Sequence, residues 1–166
     1  MLIEVKVFGL AMDPITNTPI VILKDLEGKK AVPIWIGLFE ASAIATQMEG
    51  INLARPMTHD LMNEILKVLE VKVVKIVIND LKDNTFFAGI HIMKDSKSIA
   101  VDARPSDAIA IALRSGAPIF VDEKIIEKST NIDFGRKAVD LNKYSREQLK
   151  EFLESLSSED FGKYKM

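Results

Sequence analysis

The chain of 166 residues contains no cysteine. Disulfides, thiolate metal centres and cysteine nucleophiles are thereby excluded. Histidine is nearly as scarce. His59 and His91 are the only two, too few for a zinc site built on several imidazoles. Positive charge is not in excess, since 22 Lys and Arg stand against 24 Asp and Glu for a net charge of −2. A broad basic surface for neutralising phosphates is therefore missing, and a local patch or a bound metal would have to replace it. No run approaches the roughly 18 uncharged apolar residues of a membrane helix. The opening MLIEVKVFGL carries Glu4 and Lys6 inside its apolar stretch, which is not a signal-peptide pattern. No Gly-rich phosphate loop, Walker motif or Ser-His-Asp order occurs. These absences leave a cytoplasmic protein without a membrane partner as the expectation.

What is present is a globular composition, 48% hydrophobic and 28% charged. The length fits one domain with a short appendage. Ile3, Val5 and Val7 alternate with Glu4 and Lys6 as in a half-buried strand. Pro19 to Leu23 and Ala31 to Ile36 read as strands joined around Leu26-Glu27-Gly28, with Pro33 marking an edge strand or a late start. Gly37 to Met48 reads as a helix stopped at Gly50. Thr58 is placed to cap the next helix, where Leu61, Met62, Ile65, Leu66 and Leu69 make a one-sided apolar stripe. Val71 to Ile78, Thr85 to Met93 and Ser98 to Asp102 follow as strands. An apolar helix from Asp107 to Ser115, a strand at Pro118 to Val121 and a short helix at Glu123 to Lys128 come next. Ser145 to Gln148 forms a capping box before the stripe Leu149, Phe152, Leu153 and Leu156. The expected organisation is an α+β domain over 1–141 and an amphipathic tail over 142–166. A mixed, strongly bent sheet or pair of sheets should pack around the central apolar helix. An internal βα duplication is also a candidate: Pro33-Ile34-Trp35-Ile36 leading to Glu40 through Ala45 echoes Ile99-Ala100-Val101 leading to Asp107 through Ala112.

The polar mouth of the central helix has two readings. As structure, Arg104 before Pro105 fixes where the helix begins, Ser106 caps it, and Asp107 meets the positive end of the dipole. Asp102 and Arg104 then remain, free to pair with one another or with Asp107. As a site, Asp102, Asp107 and Glu40 are oxygen donors suited to Mg²⁺ or another divalent cation. Arg55 and Arg104 suit phosphate, whose oxygens match the guanidinium fork. His59, beside Asp60, is the one plausible imidazole acid or base, against a bland reading as a first-turn helical residue. His91, on a strand face with Phe87 and Gly89, reads as structural. Trp35 and Phe39 could stack a base or simply fill the core.

Taken in order, the strings Pro33-Ile34-Trp35-Ile36-Gly37, Glu40-Ala41 through Ala45, Arg55-Pro56-Met57-Thr58-His59-Asp60-Leu61 and Asp102-Ala103-Arg104-Pro105-Ser106-Asp107-Ala108 resemble the bifunctional nuclease domain. The resemblance runs from about Leu2 to Lys128. It implies activity on both DNA and RNA, a compact α+β body and a homo-oligomer, with a dimer the first expectation. The tail does not match the helical hairpin that some members carry, so no repair-complex partner is implied. Asn84 stands where the family pattern leads one to expect glycine, and asparagine tolerates that turn. The expected function is thus a nuclease of low sequence specificity. Catalysis would fall to His59, Asp60, Asp102 and Asp107 and phosphate binding to Arg55 and Arg104, with a divalent metal assisting at Asp102, Asp107 and Glu40. The alternative is a non-catalytic homo-oligomeric module that binds a nucleotide or other small anion.

Overall fold

A computed structural model describes residues 1–129. The first three strands, β1 (Leu2–Met12), β2 (Pro19–Asp25) and β3 (Ala31–Trp35), form an antiparallel meander. Gly28 turns the chain between β2 and β3 at φ +71°, a conformation free of Cβ penalty only for glycine. Helix α1 (Leu38–Met48) follows, and then α2 (Thr58–Val68). A second antiparallel meander comprises β4 (Lys72–Lys82), β5 (Thr85–Lys94) and β6 (Lys97–Ala103). Its two turns, Asp83-Asn84 and Asp95-Ser96, hold all four residues at positive φ. That mirror-image turn matches the right-handed twist of the strands it joins, and short polar side chains tolerate it best. Helix α3 (Pro105–Ser115), strand β7 (Ile119–Asp122) and helix α4 (Glu123–Ser129) complete the described residues.

β7 joins the two meanders into one sheet of order β3-β2-β1-β7-β4-β5-β6. It runs antiparallel to β1 and parallel to β4, so the sheet is mixed and the fold α+β, as expected. Pairing slips at Val7/Gly9, Val73/Lys75 and Ile78/Asp80 are bulges, which bend and further twist the strands they interrupt. The β3–α1 and β6–α3 segments that echo one another in sequence end two units of like order, a meander followed by a helix. They lie at opposite edges of the sheet.

The core centres on α3. Its Ala108 to Ala112 segment is at most 1% exposed, packed against α1, α2, β4 and β5. Small alanines let the neighbouring helices approach, while Ile109 and Ile111 fill the space toward them. Gly116 ends the helix in the left-handed conformation, at φ +70°.

Two local expectations are corrected. Thr58 is the first helical residue and Met57 the cap position of α2; the Asp60 carboxylate supplies the bond by accepting from the Met57 N–H at 2.9 Å. Ser106 is likewise inside α3 and buried, with Arg104 at the cap position and Pro105 at the first turn. The α2 stripe lies mostly outside the core. Leu66 packs against it, but Leu61, Met62, Ile65 and Leu69 are exposed. Among the described residues no helix is long and apolar enough to cross a membrane. The boundary near Leu141 and the tail helix lie outside the described residues.

Candidate functional site

Arg104 has extended backbone, φ −68° and ψ 144°, because Pro105 disfavours a helical residue before it. Its carbonyl accepts the Ala108 N–H at 3.0 Å and starts α3. Its side chain folds back over the helix mouth. Nε donates to Asp107 Oδ2 at 2.7 Å, and a terminal nitrogen, Nη2, meets Glu40 Oε1 at 2.8 Å. Glu40 and Asp107 occupy the same place in their helices, the third residue of α1 and of α3. There the exposed N–H groups favour a carboxylate. One guanidinium thus ties the helix mouths of the two halves together.

His59, the second residue of α2, extends the chain of contacts. Its Nε2 lies 2.9 Å from Asp107 Oδ1. With Asp107 ionised, Nε2 is the donor and Nδ1 is left as an acceptor, bonded to nothing among the described residues. Burial pushes the Asp107 carboxyl up, but the hydrogen bonds from Arg104 and His59 outweigh it, and the group sits below the usual carboxylate range. The Asp107 bond in turn holds the proton on Arg104 more firmly. The Arg104 side chain remains 66% exposed, whereas Glu40 is 17% exposed. The cluster therefore presents a cationic face to solvent over a row of anchored carboxylates.

Asp60 stands beside His59 but serves α2 and its neighbours. One oxygen accepts the Met57 N–H, and the other accepts from Arg114 Nε at 2.6 Å. Arg114 is only 5% exposed, and its terminal nitrogens donate to the Ala43 and Ala110 carbonyls, both at 3.0 Å. Those contacts pin α1, α2 and α3 at one point. Burial raises the Asp60 carboxyl, and the Met57 and Arg114 bonds more than offset it, so the group is held below its ordinary value. Arg114 escaped the sequence reading. The available signal was a basic residue in the last turn of an otherwise apolar helix, seven positions after Asp107 and so on the same face. His59 and Asp60, adjacent in α2, take these two α3 residues respectively.

Arg55 and Asp102 are not drawn into this network. Arg55 lies exposed in the segment before α2, and Asp102 lies exposed on β6 opposite Gly89. Neither makes an ion pair among the described residues. Glu40 and Asp107 reach the same guanidinium, and Asp102 bonds to neither. Among the described residues no three His, Asp or Glu side chains gather so as to hold a metal ion. As arranged, Glu40, Asp102 and Asp107 do not fit a divalent cation: Glu40 and Asp107 each give an oxygen to Arg104, and Asp102 stands apart from both. Trp35 is half-buried, and its indole N–H donates to Asp13 Oδ2 at 2.9 Å. Phe39 is exposed, one residue before Glu40.

The strings that furnish this cluster also decide the family. Residues 21–133 match the model of the bifunctional nuclease domain. The chain belongs to that family. It is 36% identical over 162 residues to the uncharacterized protein MT1877 of Mycobacterium tuberculosis, covering 95% of this chain and 97% of that one. It is 26% identical over 111 residues to bifunctional nuclease 2 of Oryza sativa subsp. japonica, covering 64% of this chain and 34% of the rice protein. Bifunctional nuclease 1 of Oryza sativa subsp. indica is 24% identical over 109 residues, covering 63% and 33%.

Proposed function

We propose that this member of the bifunctional nuclease domain family hydrolyses phosphodiester bonds in DNA and RNA with low sequence specificity. The His59–Asp107–Arg104–Glu40 chain would be its reaction centre. The observation that carries the reading is the pairing of an imidazole, 12% exposed and with one nitrogen unbonded among the described residues, with an exposed, doubly anchored guanidinium at one helix mouth. Arg104 meets two non-bridging phosphate oxygens with the edge left free by Asp107 and Glu40, and it stabilises the charge that grows there. His59 Nδ1 takes a proton from water as the water oxygen bonds to phosphorus. The phosphorus–ester oxygen bond breaks, and the leaving sugar oxygen gains a proton from solvent. Asp107 holds the ring in place and steadies the imidazolium, as a carboxylate does in other His-dependent hydrolases. Arg55 draws in the backbone from its exposed position, and Phe39 offers a face on which a base can stack. Low specificity follows from contacts made to phosphate and to base faces only. Mg²⁺ or another divalent cation takes no part in these steps. The protein acts as a homo-oligomer in the cytoplasm.

The competing reading is the non-catalytic module that binds a nucleotide or small anion. It is favoured by the pairing of every carboxylate in the cluster with a cation. His59→Gln distinguishes the two, because it keeps a hydrogen bond to Asp107 but removes the base. On labelled single-stranded DNA and RNA, cleavage co-eluting with the protein should fall about 100-fold or more while oligonucleotide binding is retained. Unchanged cleavage, or cleavage that separates from the protein on a second column, would leave only the binding module.

A further inference from the structure

The two edges of the sheet are built differently. β3 is five residues long, has Pro33 at its centre and is packed against α4. Those are devices that keep another strand from adding to an edge. β6 has none of them. It is seven residues long, and every residue from Lys97 to Asp102 is exposed. Its charges stand near its ends, and Ser98-Ile99-Ala100-Val101 between them is uncharged. Among the described residues no strand pairs with its outer side. Ile99 and Val101 pair with Ile92 and Ile90 of β5, so they lie on the core face of the sheet, yet they are 50% and 44% exposed. The apolar face of the sheet runs out past the helices that cover it.

We infer that β6 is the contact between two copies of this chain, joined edge to edge and antiparallel about a two-fold axis through Ala100. The register follows from the strand itself. An axis normal to the sheet keeps core face with core face, so it passes through a residue and not between two. Centred on Ala100, all seven residues pair. Ile99 then meets the partner's Val101 on the core face. On the other face Ser98 meets the partner's Asp102 and donates its hydroxyl to that carboxylate, which gives Asp102 the partner it lacks among the described residues. Ala100, one of the two alanines of the strand, sits opposite itself. Arg104 follows β6 directly, four residues from the axis. At 3.4 Å per residue the two Arg104 positions stand about 27 Å apart on the same face of a continuous sheet. The inference rests on the homo-oligomeric part of the proposed function and not on its chemistry.

The absence of cysteine makes the test clean. Ala100→Cys should give a disulfide-linked dimer under mild oxidation, because directly opposed Cα atoms lie within about 5.5 Å. Ser98→Cys should not, since its two copies would be about 14 Å apart in this register. Ala100→Lys, exposed in the single chain, should leave the protein folded by circular dichroism and convert the sedimenting species from dimer to monomer. The inference is overturned if Ser98→Cys links as readily as Ala100→Cys, or if the dimer survives Ala100→Lys. It is equally overturned if Ile65→Lys alone dissociates the dimer, which would place the contact on α2. A monomeric wild-type protein would overturn the homo-oligomer reading with it, while leaving the cleavage assay of His59→Gln to stand or fall separately.

Discussion

Replacing Arg104 with methionine separates what the cluster does for stability from what it does for chemistry. Methionine keeps most of the aliphatic stem and removes the charge. In the folded protein this breaks the bonds to Asp107 and Glu40, and it leaves two carboxylates facing each other. The guanidinium is two-thirds exposed, so each ion pair is worth only about 0.2–1 kcal/mol. With some repulsion added, the loss is about 1–2 kcal/mol. For a chain of this length that lowers the melting temperature by about 2–8 °C. The same guanidinium set against the growing charge of a phosphate should be worth about 2.7–4 kcal/mol, or 100- to 1000-fold in rate. At 25 °C a destabilisation of this size leaves nearly all molecules folded, so it cannot itself produce such a loss. The assay is single-turnover cleavage of end-labelled DNA and RNA oligonucleotides, alongside a thermal melt of the same preparation. Arg104→Lys should fall between the two proteins, because it restores the charge without the fork. Cleavage by a folded Arg104→Met protein within about threefold of wild type would refute the assignment of phosphate to this residue.

Further outcomes follow from the same contacts. Arg114→Leu should cost about 2–4 kcal/mol, because it strands the part-buried Asp60 carboxylate and cuts the tie among three helices; urea denaturation measures it, and a loss under 1 kcal/mol would refute that role. Asp60 and Asp107 are held below the ordinary carboxylate range and Asp13 at about 2. Their folded values are depressed, so the stability they confer is complete above the unfolded value near pH 4 and lost as pH falls through the folded values, about 2 for Asp13. Melting temperature followed downward from pH 6 should decline through that window, and less steeply in Asp60→Asn. Because Arg104 takes an oxygen from each of Glu40 and Asp107, Mg²⁺ measured by calorimetry should bind Arg104→Met more tightly than wild type. Equal or tighter binding to wild type, with cleavage abolished by a chelator, would restore a metal to the mechanism.

Much of the fold is legible from local pattern. Alternation at Ile3, Val5 and Val7, the β-branched run from Val71, and the turn residues at Gly28, Asp83-Asn84 and Asp95-Ser96 place both meanders. The apolar run Ala108 to Leu113 marks α3 as central because no side of it suits water. The position of β7 is not legible. It pairs with β1, more than a hundred residues earlier, and with β4, and no turn or spacing near Ile119 encodes either choice. The exposure of the α2 stripe is not legible either, for a related reason. Periodicity reports that a helix has an apolar face, but not whether the sheet has room left to receive it.

The site shows the same division between local and distant information. The string Arg55 to Asp60 and the string Asp102 to Asp107 stand far apart in the sequence, and each is explicable alone as a helix beginning. Their meaning lies in the bond between His59 and Asp107, which joins residues 48 positions apart. Residue type foretold that the groups were chemically able to interact, but not which of them would be consumed by structure. Asp60 and Asp107 are identical in type and each opens a helix. Yet Asp60 meets a buried arginine and uses both oxygens to hold helices together, while Asp107 meets an exposed arginine and a mostly buried imidazole. Burial of the cationic partner makes the difference: Arg114 is sealed at 5% exposure and Arg104 is open at 66%. A buried guanidinium can only be a tie, because its fork is filled by protein carbonyls. An exposed one, anchored on two carboxylates and still offering an edge to solvent, is the arrangement on which a phosphate can act as the third partner.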